Sequence, residues 1–143
     1  MARQEKGPKV FTVDEANQLI PQIQQGLHRL RKIQQEVQPL ETEKAVEELS
    51  WLMEDGTISP KARTRVAQLE KELESKAKGF EGEMEQLGGL GAQLKGLEEG
   101  LVDFFAERKG ELIFLCWKDG EDRIRYWHDL ESGFAGRQPI DTL

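Results

Sequence analysis

Residues able to do chemistry gather near the end of the 143-residue chain. His128, Asp129 and Glu131 follow one another closely, with Tyr126 and Trp127 before them and Arg137 after. An imidazole there could serve as a base or a metal ligand, and neighbouring carboxylates on an irregular turn could complete a coordination shell or orient the ring. The spacing lacks the helical register that places two ligands on one face, so a histidine hydrogen-bonded at a sheet corner explains the same residues. The other histidine, His28, falls on a helix where exposure is the default. Asp103 sits between Val102 and Phe104. A carboxylate in such a strand must face water or meet a donor, and Arg125 and Arg137 are candidates. Cys116 stands beside Trp117 in an alternating strand with no adjacent base in sequence, the setting of a packed thiol rather than a nucleophile.

The loop Gly133-Phe134-Ala135-Gly136-Arg137-Gln138-Pro139 could offer Arg137 to an anion. It lacks the glycine spacing and following helix of a phosphate loop, and pinning Phe134 on the sheet is the plainer reading. The ligand-binding candidates are thus Asp103, Trp127, His128, Glu131 and Arg137, with His128, Asp129 and Glu131 as weak metal candidates. No catalytic residue is assigned and no cofactor is expected.

These residues must be positioned by elements legible upstream. Thr12-Val13-Asp14-Glu15 has capping-box spacing and starts a helix. Ala16, Ile20, Ile23, Leu27, Leu30, Ile33 and Val37 recur by threes and fours, a coiled-coil-like seam. Pro21 predicts a bend near Asn17, and Pro39 a second bend or the helix end. Residues 41–53 continue in helical character, and Glu54-Asp55-Gly56-Thr57 reads as a turn. Segment 39–59 therefore either extends the first rod or forms a separate helix. Ser59-Pro60 restarts the pattern, which runs through Val66, Leu69, Leu73, Phe80 and Leu87 to the glycines at 88, 89 and 91. Two rods of about 39 and about 42 Å, at 1.5 Å per residue, pair antiparallel most simply.

Beyond residue 91 the period becomes alternating. Residues 101–105, 111–117 and 123–128 read as an antiparallel meander. Asp119-Gly120 is the strongest hairpin signal and predicts Trp117 opposite Asp122, Leu115 opposite Ile124 and Ile113 opposite Tyr126. Ile113, Leu115, Trp117, Ile124 and Tyr126 then share the core face.

The segments FTVDEAN at 11–17, GLVDF at 100–104, LCWKDGE at 115–121 and YWHDLESGFAGRQPI at 126–140 resemble the bacterial domain of unknown function 2203 family. The resemblance implies a helical N-terminal part followed by a tail with Tyr-Trp-His, Gly-Phe and Gly-Arg-Pro features. It assigns no activity. Gly96 and Phe105 depart from the pattern, which favours an acid and a proline there.

Net charge is −7, distributed as +2 over residues 1–40, −6 over 41–100 and −3 over 101–143. No basic stripe exists, which argues against nucleic acid and anionic membranes. One cysteine allows no intramolecular disulfide and fits a reducing, cytoplasmic setting. No apolar run approaches the ~20 residues of a membrane span. The hydrophobic share is 37% against 33% charged, so the core is thin.

The expected architecture is α+β: a flexible stretch at 1–10, a helical hairpin at 11–91, and a small antiparallel sheet with its tail packed back at 92–143. Narrow seams leave apolar edges, favouring a homodimer through the helices, for example a four-helix bundle. The leading functional expectation is an interaction or scaffold protein, leaning away from an enzyme, with a ligand or protein partner recognised at the sheet corner. The alternative is a small-molecule or metal-binding site, with scope for catalysis, built from Asp103, His128, Glu131 and Arg137.

Overall fold

The structure, a computed structural model, describes residues 9–53 and 58–143. The turn expected at 54–57 and most of the N-terminal stretch lie outside the described residues. Helix α1 spans Val13–Met53 and helix α2 Pro60–Gly89. Five strands follow: β1 Gln93–Gly96, β2 Leu101–Arg108, β3 Glu111–Lys118, β4 Tyr126–His128 and β5 Gln138–Pro139. They form one antiparallel sheet in chain order, so the α+β arrangement of helical hairpin and meander is observed.

Both helix starts follow from their caps. Thr12 Oγ1 accepts from the Glu15 amide at 3.1 Å while Glu15 Oε1 accepts from the Thr12 amide at 2.9 Å, satisfying two otherwise unpaired donors. Ser59 Oγ accepts from the Ala62 amide at 3.0 Å, and Pro60 occupies the first helical position. Neither proline ends the helix, which excludes one of the outcomes left open at Pro39. Helix α1 runs through both Pro21 and Pro39, so residues 39–53 extend the first helix. Both rings are exposed, and beside Pro21 the buried side chains of Ile20 and Ile23 offset the lost backbone bond.

The chain divides into two compact units. One comprises Arg29–Met84. Its ion pairs Arg29–Glu83 at 2.8 Å, Glu36–Lys76 at 2.7 Å and Glu43–Arg65 at 2.6 Å step up α1 as they step down α2, which fixes an antiparallel pair. Leu30, Val66 and Leu69 are its buried apolar residues.

The other unit contains residues up to His28 together with Glu85–Leu143. Its core is one face of the sheet, formed by Val102, Phe104, Ala106, Ile113, Leu115, Trp117 and Trp127, with Ile124 from the following loop and Phe11, Ala16, Ile20, Ile23, Leu27 and Leu87 from the helical segments. Phe11 meets Phe104 edge-on at 5.3 Å, and its amide donates to the Phe105 carbonyl at 2.8 Å. Gly91, at φ +95°, lets the chain leave α2 against Phe11; a Cβ there would lie 2.5 Å from the ring.

The hairpins also depart from expectation. The two-residue turn is Lys109-Gly110, both at positive φ, with Arg108 opposite Glu111. Asp119-Gly120 does reverse the chain, since the Glu121 amide donates to the Lys118 carbonyl, but no ladder resumes directly. Backbone groups of 121–125 bond elsewhere: the Glu121 carbonyl to Trp117 Nε1, the Ile124 amide to Asn17 Oδ1, and the Arg125 carbonyl to the Ile140 amide. Pairing restarts three residues later than predicted, with Leu115 opposite Trp127 and Cys116 opposite Tyr126. An odd shift exchanges faces. Trp127 therefore joins the core face and Tyr126 the other.

Candidate functional site

That other face carries the chemistry. Asp103 on β2 is opposite Cys116 on β3, and Phe114, two residues from Cys116, is opposite His128 on β4. Alternation puts all four on one side of the sheet. Asp103 and His128 are the buried polar residues of the described chain, at 4% and 2% exposure, and Cys116 is at 1%. Their ligating atoms all lie within 4.8 Å of one another.

The hydrogen bonds fix how His128 is held. Nδ1 lies 2.7 Å from the Asp129 carbonyl oxygen, which can only accept, so Nδ1 carries a proton. Nε2 lies 3.2 Å from Asp103 Oδ2. Two arrangements satisfy that contact: Nε2–H donating to a carboxylate, or a protonated Asp103 donating to the Nε2 lone pair. In either, the pair holds one proton between them. The imidazole tilts against Phe114 at 5.4 Å, and Lys95 reaches over the same Phe114 ring at 4.5 Å with its Nζ 3.8 Å from Asp103 Oδ2.

Cys116 is not a nucleophile in this setting. Burial pushes its thiol up to about 12, with Asp103 adding to the rise and Arg137 opposing it. Both His128 nitrogens are committed to oxygen partners, so neither is free to take the thiol proton.

Asp103, Cys116 and His128 line one pocket of about 190 Å³, whose walls also include Lys95, Phe114, Leu130, Glu131 and Phe134. Glu131 thus stands at the same pocket as Asp103 and His128. Arg137 approaches Cys116 but spends its guanidinium on Glu121 at 3.0 Å and on the faces of Tyr126 and Phe134, at 4.0 and 4.2 Å. Trp127 points into the core face, where its Nε1 donates to Thr142 Oγ1 at 3.0 Å. Asp129 is exposed and occupied with its own turn: Oδ1 accepts from the Glu131 amide and from the Ser132 amide and hydroxyl. Those bonds, the Ser132 hydroxyl first, hold its carboxyl below the usual range. Neither arginine expected to serve Asp103 does so; Arg125 pairs with Asp122 at 2.9 Å.

Asp103, His128 and Glu131 are legible in the sequence, Cys116 reads there as a packed thiol, and Lys95 carries no signal of its own. Cys116 needed the register of three strands to be seen as part of the cluster. Lys95 needed β1, a four-residue strand with an irregular register between Leu94 and Gly96.

Fold and site together define an α+β protein with a buried Asp/Cys/His cluster on the second face of a five-stranded meander. The family model described as an uncharacterized conserved protein, domain of unknown function 2203, matches residues 9–140, and the chain belongs to that family. No curated protein and no solved structure matches it. No described helix is long and apolar enough to cross a membrane.

Proposed function

We propose that the sheet-bearing unit binds a small polar ligand at the pocket over Asp103, Cys116 and His128. The observation that carries this reading is the convergence of two buried polar side chains and a buried thiol on one pocket wall. Burying polar groups costs free energy that the apolar face of the sheet does not require for its own packing, so their placement is better explained by something they hold. A volume of about 190 Å³ is below the roughly 300 Å³ at which drug-sized sites begin, which favours an ion or a very small molecule. Lys95 and Glu131 offer both signs of charge at the rim, and Phe134 an aromatic surface. Adding small amine and carboxylate fragments while recording protein NMR spectra tests this. Shifts clustered on Lys95, His128 and Phe134 support it; binding only elsewhere on the chain contradicts it.

A second reading concerns the helical unit, as an interaction or scaffold element that self-associates in the cytoplasm. It is favoured by Val46 and Leu49, exposed at 61% and 55%, and by a cleft lined by Ile33, Val37, Leu73 and Phe80. A second copy would cover these surfaces. Light scattering gives a dimer mass if this holds, and a monomer mass for a variant carrying Val46→Glu and Leu49→Glu; a monomeric wild type contradicts it.

A further inference from the structure

We propose that His128 Nε2, Asp103 Oδ2 and Cys116 Sγ form a site for a divalent transition metal of the zinc kind, with the remaining coordination position facing the pocket. This rests on the pocket reading above and names its ligand class. It also differs from the ligand set read from the sequence, with Asp103 and Cys116 beside His128 in place of Asp129 and Glu131.

Geometry comes first. Two nitrogen or oxygen ligands at about 2.0 Å from a tetrahedral metal stand about 3.3 Å apart. Nε2 and Oδ2 are 3.2 Å apart already. The sulfur lies within 4.8 Å of both, so it closes by at most roughly 1.3 Å to reach the ~3.5 Å that a 2.3 Å metal–sulfur bond sets. The ligands come from β2, β3 and β4, held in register by ladder bonds. Sites on such elements are more precise than sites on loops.

The donor set is selective. Imidazole, thiolate and carboxylate together suit zinc and its neighbours and disfavour magnesium and calcium, which take oxygen. The Nδ1–H bond from His128 to the Asp129 carbonyl is the outer contact that metal-bound histidines use to fix tautomer and ring orientation, and it leaves Nε2 as the coordinating nitrogen. All three ligands line the pocket, so the fourth position opens to water or to Glu131, which lines it too. Lys95, whose side chain is 43% exposed, can swing off Asp103 into solvent when a cation arrives. Coordination forms metal–nitrogen, metal–oxygen and metal–sulfur bonds. It releases the thiol proton and the one proton held between Asp103 and His128, so two protons leave to solvent per metal.

The test uses the full chain, freed of metal by a chelator and then titrated with cobalt(II) alone. The expected result is a visible spectrum of tetrahedral intensity saturating at one equivalent, with a near-ultraviolet charge-transfer band that only a thiolate provides. One equivalent of zinc erases both. Cys116→Ser removes the charge-transfer band and weakens zinc by more than the 10- to 100-fold typical of losing an outer partner. Because substitutions in the sheet can impair folding, proton release is measured on the wild type, where two protons per zinc are expected. Absence of stoichiometric cobalt bands in folded wild type overturns the proposal, as does a charge-transfer band that survives Cys116→Ser. If cobalt leaves the spectrum blank while polar fragments still shift Lys95 and Phe134, the metal falls and the pocket reading stands.

Discussion

Asp103 and His128 meet at 3.2 Å across a strand that belongs to neither of them. Asp103 lies on β2 and His128 on β4, and β3 runs between with Cys116 and Phe114 on the same face. The contact therefore spans two ladders and depends on the register of both. A slip of one residue in either would send one partner to the apolar side.

Removing one partner of this pair should cost more than replacing it by an isostere. Asp103→Ala leaves Nε2 buried without an oxygen, for about 1–3 kcal/mol of stability. Asp103→Asn keeps a hydrogen-bonding group in place and should cost less. Urea unfolding with chelator present measures both; equal losses contradict the pairing.

The Cys116 thiol gives a pH signature. Its ionisation is raised from 9.0 to about 12 in the folded chain by burial, so the unfolded state loses this proton first as pH rises. Stability from this group is fully present below pH 9 and is lost between 9 and about 12, by at most about 1.4 kcal/mol per pH unit. Cys116→Ala should flatten that part of the curve. At pH 8 the folded metal-free protein should also alkylate far more slowly than the unfolded chain, given roughly a thousandfold less thiolate. Equal rates would contradict the buried setting.

Each helix cap has a local effect. Thr12→Ala removes the hydroxyl that accepts from Glu15, and Ser59→Ala the one that accepts from Ala62. Each should cost about 0.5–2 kcal/mol. Hydrogen exchange should accelerate in the first turn of the altered helix, and unchanged protection there contradicts the capping role.

Gly91 carries two constraints at once, φ of +95° and a 2.5 Å approach of any Cβ to the Phe11 ring. Gly91→Ala should cost at least about 1–3 kcal/mol by thermal or chemical unfolding. A neutral result contradicts the tight exit from α2.

Local signals were legible and long-range ones were not. The Thr12–Glu15 box and the Ser59-Pro60 start are short-range chemistry and appear in the structure as read. Pro39 leaves a bend, an end or a continuation open, and only the structure, in which α1 passes it between the ion pairs Glu36–Lys76 and Glu43–Arg65, excludes the end. Asp119-Gly120 misleads because the backbone after it is taken by Asn17 and Ile140, residues far away in sequence. Of the site, Asp103 and His128 were visible as polar residues in apolar company. Their junction with Cys116 was hidden, since it exists only when three strands are aligned.

The most direct test of the metal site follows the two ring nitrogens of His128 by nitrogen NMR as zinc is added to the chelator-treated full chain. Nδ1 should stay protonated on the Asp129 carbonyl while Nε2 moves to the shift of a metal-bound nitrogen, saturating at one equivalent. Nitrogen shifts unmoved by stoichiometric zinc, or coordination through Nδ1, would contradict a site at Nε2.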